Sequence, residues 1–215
     1  MIILGINAFH PDSSACILKD GVILNAVEEE RFSRIKHTSC IPFSSIDFCL
    51  DNNNLSISDI DFISINSNPY SNFSKKISFS LFNAPNIFLI SERLFNLQKK
   101  LNILEEFEKY YSKNITAKLF KVDHHISHLA STFFASSFDE SSLVSVDGFG
   151  DFASTSIGYG LKNNINLSKQ VYFPHSLGIF YECLTQYLGF NKYGDEYKVM
   201  GLSSYGESKY IKELN

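Results

Sequence analysis

The sequence lacks several features that would place it in a familiar class at once. No apolar run approaches the roughly 20 residues that cross a bilayer, and the apolar start is too short for a signal peptide, so it indicates a strand. Basic residues are not in excess, because 19 Lys and Arg stand against 23 Asp and Glu, whereas a free-standing nucleic-acid binder usually has a basic face. The sequence therefore favours a cytoplasmic protein with neither a membrane nor a nucleic-acid partner.

Cysteine is scarce as well. The four cysteines have neither metal-type nor redox-type spacing, which is typical of reduced, partly buried thiols in a cytosolic protein: Cys16, Cys40, Cys49 and Cys183. Hydrophobic residues, by contrast, make up 44% of the 215 residues, which is ample for the core of one or two domains.

The hydrophobic pattern alternates between strands and helices. Strands are predicted at 2–7, 15–19, 22–27, 61–66, 117–122, 143–147, 154–160 and 165–173. Helices are predicted at 43–50, 92–111, 127–135 and 176–188. The pair Asp20-Gly21 is typical of a hairpin turn, because glycine tolerates positive φ. The composition of 67–83 predicts a loop or a mobile insertion, and that of 194–206 predicts a loop.

Two segments share the order strand, strand, strand, helix. The first continues with strand, helix, strand and helix, whereas the second stops soon after its helix. A βββαβα unit is the ribonuclease-H-like layout, and a tandem pair is the plan of the superfamily of actin, sugar kinases and heat-shock ATPases, with nucleotide between two lobes. We therefore predict an α/β fold with a complete first lobe at 1–140 and a helical insertion at about 67–113. The second lobe, at 141–215, is expected to be truncated and to leave an uncovered sheet edge.

Three histidines within five residues point to a metal centre. On a helix, His124 and His128 lie four residues apart and share one face, so they can bind one ion, while His125 points elsewhere. Asp147 is the natural carboxylate partner, because it ends a predicted strand beside Gly148. Imidazole and carboxylate together suit zinc or a first-row metal such as iron. The alternative is that the histidines only decorate the start of a helix.

Three other polar segments follow predicted strands. The loop 7–15 combines small hydroxyl residues with an acid and could bind phosphate, although it is also an ordinary polar turn. The segment 28–37 mixes charges, as a solvated surface does, but its last four residues include cations that would suit a phosphate or an acyl group. Glycines at 147–151 could let nucleotide phosphates approach, without matching the dinucleotide-binding pattern.

These segments occur in an order that resembles a known family. The motifs are L-G-I-N, H-P-D-S-S-A, E-E-E-R-F-S-R-I-K-H, V-D-H-H-I-S-H, S-V-D-G-F-G and E-Y-K-V-M-G-L-S-S-Y-G. As a set they resemble the N-terminal part of the NodU/CmcH family of O-carbamoyltransferases. The resemblance implies ATP-dependent transfer of a carbamoyl group from carbamoyl phosphate, through a carbamoyl-adenylate, to a hydroxyl of a small acceptor. It also implies a domain similar to the metal-binding domain of enzymes that install threonylcarbamoyl on tRNA adenosine.

The resemblance assigns roles to individual residues. The family's metal ligands match His124, His128 and Asp147, with iron as the first candidate and zinc or manganese as alternatives. A further aspartate ligand is expected beyond Asn215. Cleft positions near the transferred group match Lys36 and His10. The positions expected to face the nucleotide are Gly148, Gly150 and Asp151.

The resemblance covers only the first part of such enzymes, so three interpretations stay open. The chain is a fragment of a split or truncated gene, a subunit that works with a separately encoded C-terminal remainder, or a metal- and nucleotide-binding remnant without transferase activity. The expectation we carry forward is a carbamoyltransferase N-terminal part that is inactive alone. The acceptor is not specified by the sequence.

Overall fold

A computed structural model describes residues 1–83 and 102–214. Its strands are β1 (Ile2–Asn7), β2 (Ser14–Lys19), β3 (Val22–Glu28), β4 (Phe62–Ile65), β5 (Lys118–Lys121), β6 (Glu140–Gly150), β7 (Ala153–Leu161) and β8 (Asn164–Tyr172). Its α-helices are α1 (Glu30–Ser33), α2 (Phe43–Asp51), α3 (Phe73–Asn83), α4 (Ile103–Tyr111), α5 (His124–Phe133), α6 (Leu177–Tyr187), α7 (Glu196–Ser203) and α8 (Ile211–Leu214). A short 3-10 helix spans Ile57–Asp59.

The first sheet has the strand order β3-β2-β1-β4-β5. The strands β1 to β3 form an antiparallel meander, whereas β4 lies parallel to β1 and β5 lies parallel to β4. At the first hairpin Asp20 and Gly21 both have positive φ, as the sequence predicts. This mixed five-stranded order confirms the predicted ribonuclease-H-like α/β fold.

One face of the first sheet carries the main core. Alternate residues of the strands point to this face, among them Leu4, Ile17 and Ile63, which are fully buried. The helices α2 and α4 cover them with Ile46 and Phe107, which belong to the same cluster of buried side chains. The alternation explains why these strands could be located from the sequence.

The second sheet is an antiparallel meander with the order β6-β7-β8. The helix α5 packs on one of its faces, where Leu129 and Phe133 meet Leu143 of β6. A Cβ atom at Gly160 would lie only 2.7 Å from the ring of Phe133, so the glycine allows this close packing. Although α5 precedes residue 140, it therefore packs on the second sheet; the division of the chain at residue 140 stays a prediction.

Two predicted loops are wrong. The segment 67–83 contains the helix α3, and 194–206 contains α7. Tertiary contacts that composition does not reveal support α3, since Phe79 packs edge-on against Phe152 and Phe173. At the start of α7, Lys198 pairs with the N-cap residue Asp195 at 2.5 Å. Of the predicted helix 92–111, the part in α4 is confirmed and 92–101 lies outside the described residues. None of the described helices has both the length and the apolar content to cross a bilayer.

Candidate metal centre

Two carboxylates fix the start of α5. Asp123 is the N-cap residue, and its side chain accepts hydrogen bonds from the amides of His125 (3.0 Å) and Ile126 (3.2 Å). The preceding amide, that of His124, donates to Asp151 at 2.9 Å. The first three amides of a helix have no partner within the helix, and negative charge is favourable there. The helix therefore begins at 124, ahead of the predicted helix body at 127–135, and it includes all three histidines.

The predicted ligands converge at this helix start. The Nε2 atom of His124 lies 2.8 Å from Oδ2 of Asp147 and 3.0 Å from Nε2 of His128. The distance between Nε2 of His128 and Oδ2 of Asp147 is 3.4 Å. Ligand atoms that each lie about 2.0–2.2 Å from one ion are about 3–3.5 Å apart. Two imidazoles and a carboxylate with this spacing fit a divalent metal, so the donor set and its geometry agree.

Further contacts orient the ligands. On the other side of its ring, Nδ1 of His124 lies 3.3 Å from the carbonyl oxygen of Asn66, which leaves Nε2 directed at the cluster. The second oxygen of Asp147, Oδ1, accepts a hydrogen bond from the amide of Gly148 at 2.6 Å. Such contacts behind the ligands fix the orientation of an imidazole ring and determine which carboxylate oxygen is free to bind a metal.

The electrostatics of the cluster keep Asp147 ionised. Hydrogen bonds from His124 and His128 hold the pKa of Asp147 well below its ordinary value. Burial alone would lower the pKa of His124, but the hydrogen bond and charge of Asp147 outweigh it and raise this pKa. Because a metal binds only the neutral imidazole, protons compete with a metal for this site.

His125 lies apart from the cluster, as its helix position predicts. It is fully buried, and its Nδ1 atom lies 2.9 Å from the hydroxyl of Ser145. Burial lowers the pKa of His125. The residue therefore belongs to the packing between α5 and the second sheet.

The two predicted catalytic residues differ in their placement. The ring of His10 stacks on that of His124, with 4.9 Å between ring centroids. Lys36 is exposed, and within residues 1–83 and 102–214 no hydrogen bond or ion pair joins it to the three ligands. The Nδ1 atom of its neighbour His37, however, donates a hydrogen bond to Oδ1 of Asp12 at 2.8 Å, so the loop that carries Lys36 is attached to the loop that carries His10.

The three positions predicted to face a nucleotide lie beside the cluster. A Cβ atom at Gly148 would lie 3.6 Å from Ile179, while Gly150 lies against His124, and Asp151 accepts hydrogen bonds from protein donors. Nucleotide binding by these residues stays a prediction.

Two residues that support the metal cluster were not identified from the sequence. Asp123 had a recognisable signal, an acid directly before a helix, whereas Asn66 acts through its carbonyl, which the sequence cannot reveal.

Comparison with known proteins assigns the chain to a family. A family model described as Carbamoyltransferase N-terminus matches residues 2–214. The chain belongs to the carbamoyltransferase family. The predicted resemblance is thus confirmed at the level of the family.

The relatives that the chain matches are much longer than the matched region. The chain is 39% identical to the uncharacterized protein sll1178 of Synechocystis sp. over 97% of its own length and 35% of that protein. It is 34% identical to the nodulation protein NolNO of Sinorhizobium fredii, over 97% of this chain and 30% of that one. The chain therefore spans about a third of the length of the curated relatives it matches. Among solved structures, YeaZ from Pseudomonas aeruginosa gives a TM-score of 0.43 at 10% identity and covers 81% of this chain and 68% of that one.

Proposed function

We propose that this chain forms the metal- and nucleotide-binding part of an ATP-dependent O-carbamoyltransferase. In this reaction a carbamoyl group from carbamoyl phosphate passes through a carbamoyl-adenylate to a hydroxyl of a small molecule. The observation that supports the proposal is the convergence of His124, His128 and Asp147 at ligand spacing in a member of the carbamoyltransferase family. Enzymes that act on nucleotides commonly use a divalent metal, because the ion binds the phosphate oxygens of the substrate.

The cluster would hold a divalent metal through Nε2 of His124, Nε2 of His128 and Oδ2 of Asp147. Iron is the first candidate and zinc or manganese are alternatives, since all accept imidazole and carboxylate ligands. When bound, such an ion supplies positive charge for phosphate oxygens. The chain itself contributes orientation, because the contacts behind His124 and Asp147 point their free atoms at one place.

For the transfer step, the acceptor oxygen attacks the carbamoyl carbon, and the bond from that carbon to the phosphate oxygen of AMP breaks. His10 is the proposed proton acceptor for the hydroxyl, because its ring stacks on His124 next to the centre. Lys36 is the proposed partner of the charge that develops on the carbamoyl oxygen or on the leaving phosphate. The contact of His37 with Asp12 ties its loop to that of His10.

The site is open on one side. The side chain of His128 is 50% exposed and that of Asp147 is 34% exposed, so solvent reaches two of the three ligands. Catalysis by electrostatic stabilisation needs water to be excluded. We therefore expect transfer to require the further two thirds of sequence that relatives possess, and the chain on its own to be inactive.

A graft tests this function. The chain would replace the matching region of the Synechocystis relative, and AMP release from ATP would be measured with and without carbamoyl phosphate, with water as the acceptor of the carbamoyl group. We expect release that depends on carbamoyl phosphate in the graft and none from the chain alone. Substituting Lys36→Ala should lower the rate by about 100-fold or more, as for other groups that stabilise developing charge, while Lys19→Ala, at an exposed position on β2, serves as the control.

Three outcomes of the graft experiment would contradict specific parts of the account. AMP release by the chain alone would show that the remaining sequence is not required. An unchanged rate in Lys36→Ala would remove the role of Lys36. A graft that folds and binds metal but releases no AMP would contradict the proposed reaction.

A further inference from the structure

The carboxylate of Asp151 is occupied by protein donors. It accepts hydrogen bonds from the hydroxyl of Ser67 at 3.1 Å, from the amide of Asn68 at 2.7 Å and from the amide of His124 at 2.9 Å. Its carbonyl oxygen also accepts a hydrogen bond from the side chain of Asn72 at 3.0 Å. One residue of the turn between β6 and β7 thus joins the segment after β4 to the start of α5.

The neighbouring glycine makes room for the same histidine. A Cβ atom at Gly150 would overlap the imidazole ring of His124 and lie 2.7 Å from the Cβ atom of that residue. No side chain larger than hydrogen fits there unless His124 moves. The backbone of His124 is therefore held by Asp151, and its ring rests directly on Gly150.

We propose that Gly150 and Asp151 are positioning residues for His124, and that they serve metal binding and not the nucleotide contact expected from the sequence. Asp151 fixes the backbone of His124, and Gly150 sets the plane in which its ring can lie. The ring of His124 lies against Gly150 and stacks on His10, and its Nε2 atom meets Asp147 and His128. This inference rests on the proposed metal site.

Charge supports this assignment. A carboxylate that already accepts three hydrogen bonds has little capacity left for a ligand. Its negative charge would also repel nucleotide phosphates, whereas it is favourable beside the first amides of α5. The amides of His124, His125 and Ile126 are all taken by Asp151 or Asp123, so this helix start offers no free donors to a phosphate.

Metal affinity in the full chain tests the proposal. Dissociation constants for Co²⁺ would be measured by chelator competition, together with the visible absorption of the bound ion, in the wild type, Asp151→Ala and Gly150→Ala. The matched control is Ser67→Ala, which removes one hydrogen bond to Asp151 and leaves the contact with the His124 amide. His124→Ala reports whether the site itself binds metal, and circular dichroism verifies that each variant is folded.

We expect Asp151→Ala, which removes the acceptor of the His124 amide, to weaken Co²⁺ binding by about 10–100-fold, the usual effect of losing a contact behind a ligand, and to shift the cobalt absorption bands. Gly150→Ala should also weaken binding while it leaves the carboxylate of Asp151 intact, which covers the case in which Asp151→Ala does not fold. Ser67→Ala should stay within about threefold of the wild type. Folded Asp151 and Gly150 variants with wild-type affinity and spectrum would overturn the positioning role, most clearly if their ATP affinity fell instead. Unchanged binding in His124→Ala would overturn the metal site itself, a separate and distinguishable failure.

Discussion

Glu29 lies beneath the start of α2 and is only 6% exposed. Its carboxylate accepts hydrogen bonds from the amides of Ser44 (3.2 Å) and Ser45 (2.8 Å) and from the hydroxyl of Ser45 (2.7 Å). The helix has Pro42 at its N-cap, which cannot cap it through a side chain, so a distant residue satisfies its amides. The acidic E-E-E-R motif, whose default interpretation was a solvated surface, thus contains one buried structural carboxylate.

Substituting Glu29→Gln should destabilise the protein by about 1–2 kcal/mol at neutral pH, because a charged cap is lost from the helix start. Burial alone would raise the pKa of Glu29, but the hydrogen bonds from Ser45 and Ser44 outweigh it and lower this pKa. The stabilisation is therefore complete above the unfolded pKa of about 4.3 and disappears as the pH falls through the lower folded pKa. Urea unfolding at several pH values measures it.

The control for this prediction is Glu30→Gln, a neighbouring and less buried carboxylate. It should change the free energy of unfolding by no more than about 0.5 kcal/mol. A Glu29→Gln effect that matched Glu30→Gln, or one that grew as the pH fell below 4, would contradict the capping role.

At the residue scale, the spacing of residues along the chain and the family motifs predicted the three ligands of the site. The four-residue spacing of His124 and His128 placed both on one face of a helix, and the structure brings them to Asp147. What could not be predicted acts through the backbone or through the fold. The carbonyl of Asn66 and the contacts of Asp151 depend on how β4 and the turn after β6 meet α5, which no local pattern encodes.

At the scale of elements, α6 contacts the end of β6 through a glycine. A Cβ atom at Gly178 would lie 2.6 Å from the carbonyl oxygen of Asp147 and 2.7 Å from the amide nitrogen of Gly148. The N-cap hydroxyl of Ser176 donates to the same strand end, 2.7 Å from the carbonyl oxygen of Gly148. This close approach connects the helix to the segment that presents the carboxylate ligand.

A matched pair of glycine substitutions tests this packing. Gly178→Ala should destabilise the protein by about 1–3 kcal/mol, because backbone must move to accept the methyl group. Gly201→Ala in α7 is the control, since nothing lies within 4 Å of its Cβ position and alanine favours a helix by up to about 1 kcal/mol. Thermal unfolding measures both. Equal stability of the two variants would show that α6 does not depend on the contact with β6.

The elements themselves were predicted well wherever the hydrophobic period was clear. The strands β1 to β8 all coincide with predicted strands, because alternation or a short apolar run marks each. Composition alone favoured loops at the positions of α3 and α7, because serine, asparagine and glycine lower local helix propensity. Contacts made at a distance, such as those of Phe79 with Phe152 and Phe173, override that propensity.

At the scale of the whole molecule, the second sheet presents an apolar face to solvent. Val144 of β6 is 63% exposed, and its register partner Ile157 of β7 is 41% exposed. On its other side β6 pairs with no strand among the residues that the structure describes. A long edge strand beside an apolar face favours association with further polypeptide.

The double substitution Val144→Thr and Ile157→Thr should therefore reduce concentration-dependent self-association of the chain, with threonine chosen because it keeps strand propensity. Sedimentation velocity over a range of concentrations measures the association. The control is Ile35→Thr, which changes an exposed isoleucine in the loop after α1. A chain that is monomeric at all concentrations, or one that associates equally in all variants, would contradict a role for this face.

The metal content of the purified chain tests the three converging ligands directly. The chain would be purified without chelators, and its metals counted by mass spectrometry in the wild type, in the double variant His124→Ala with His128→Ala, and in the control His175→Ala, an exposed histidine outside the cluster. We predict about one divalent ion per chain in the wild type and the control, and almost none in the double variant. The same metal content in the double variant as in the wild type would contradict the metal centre at this site.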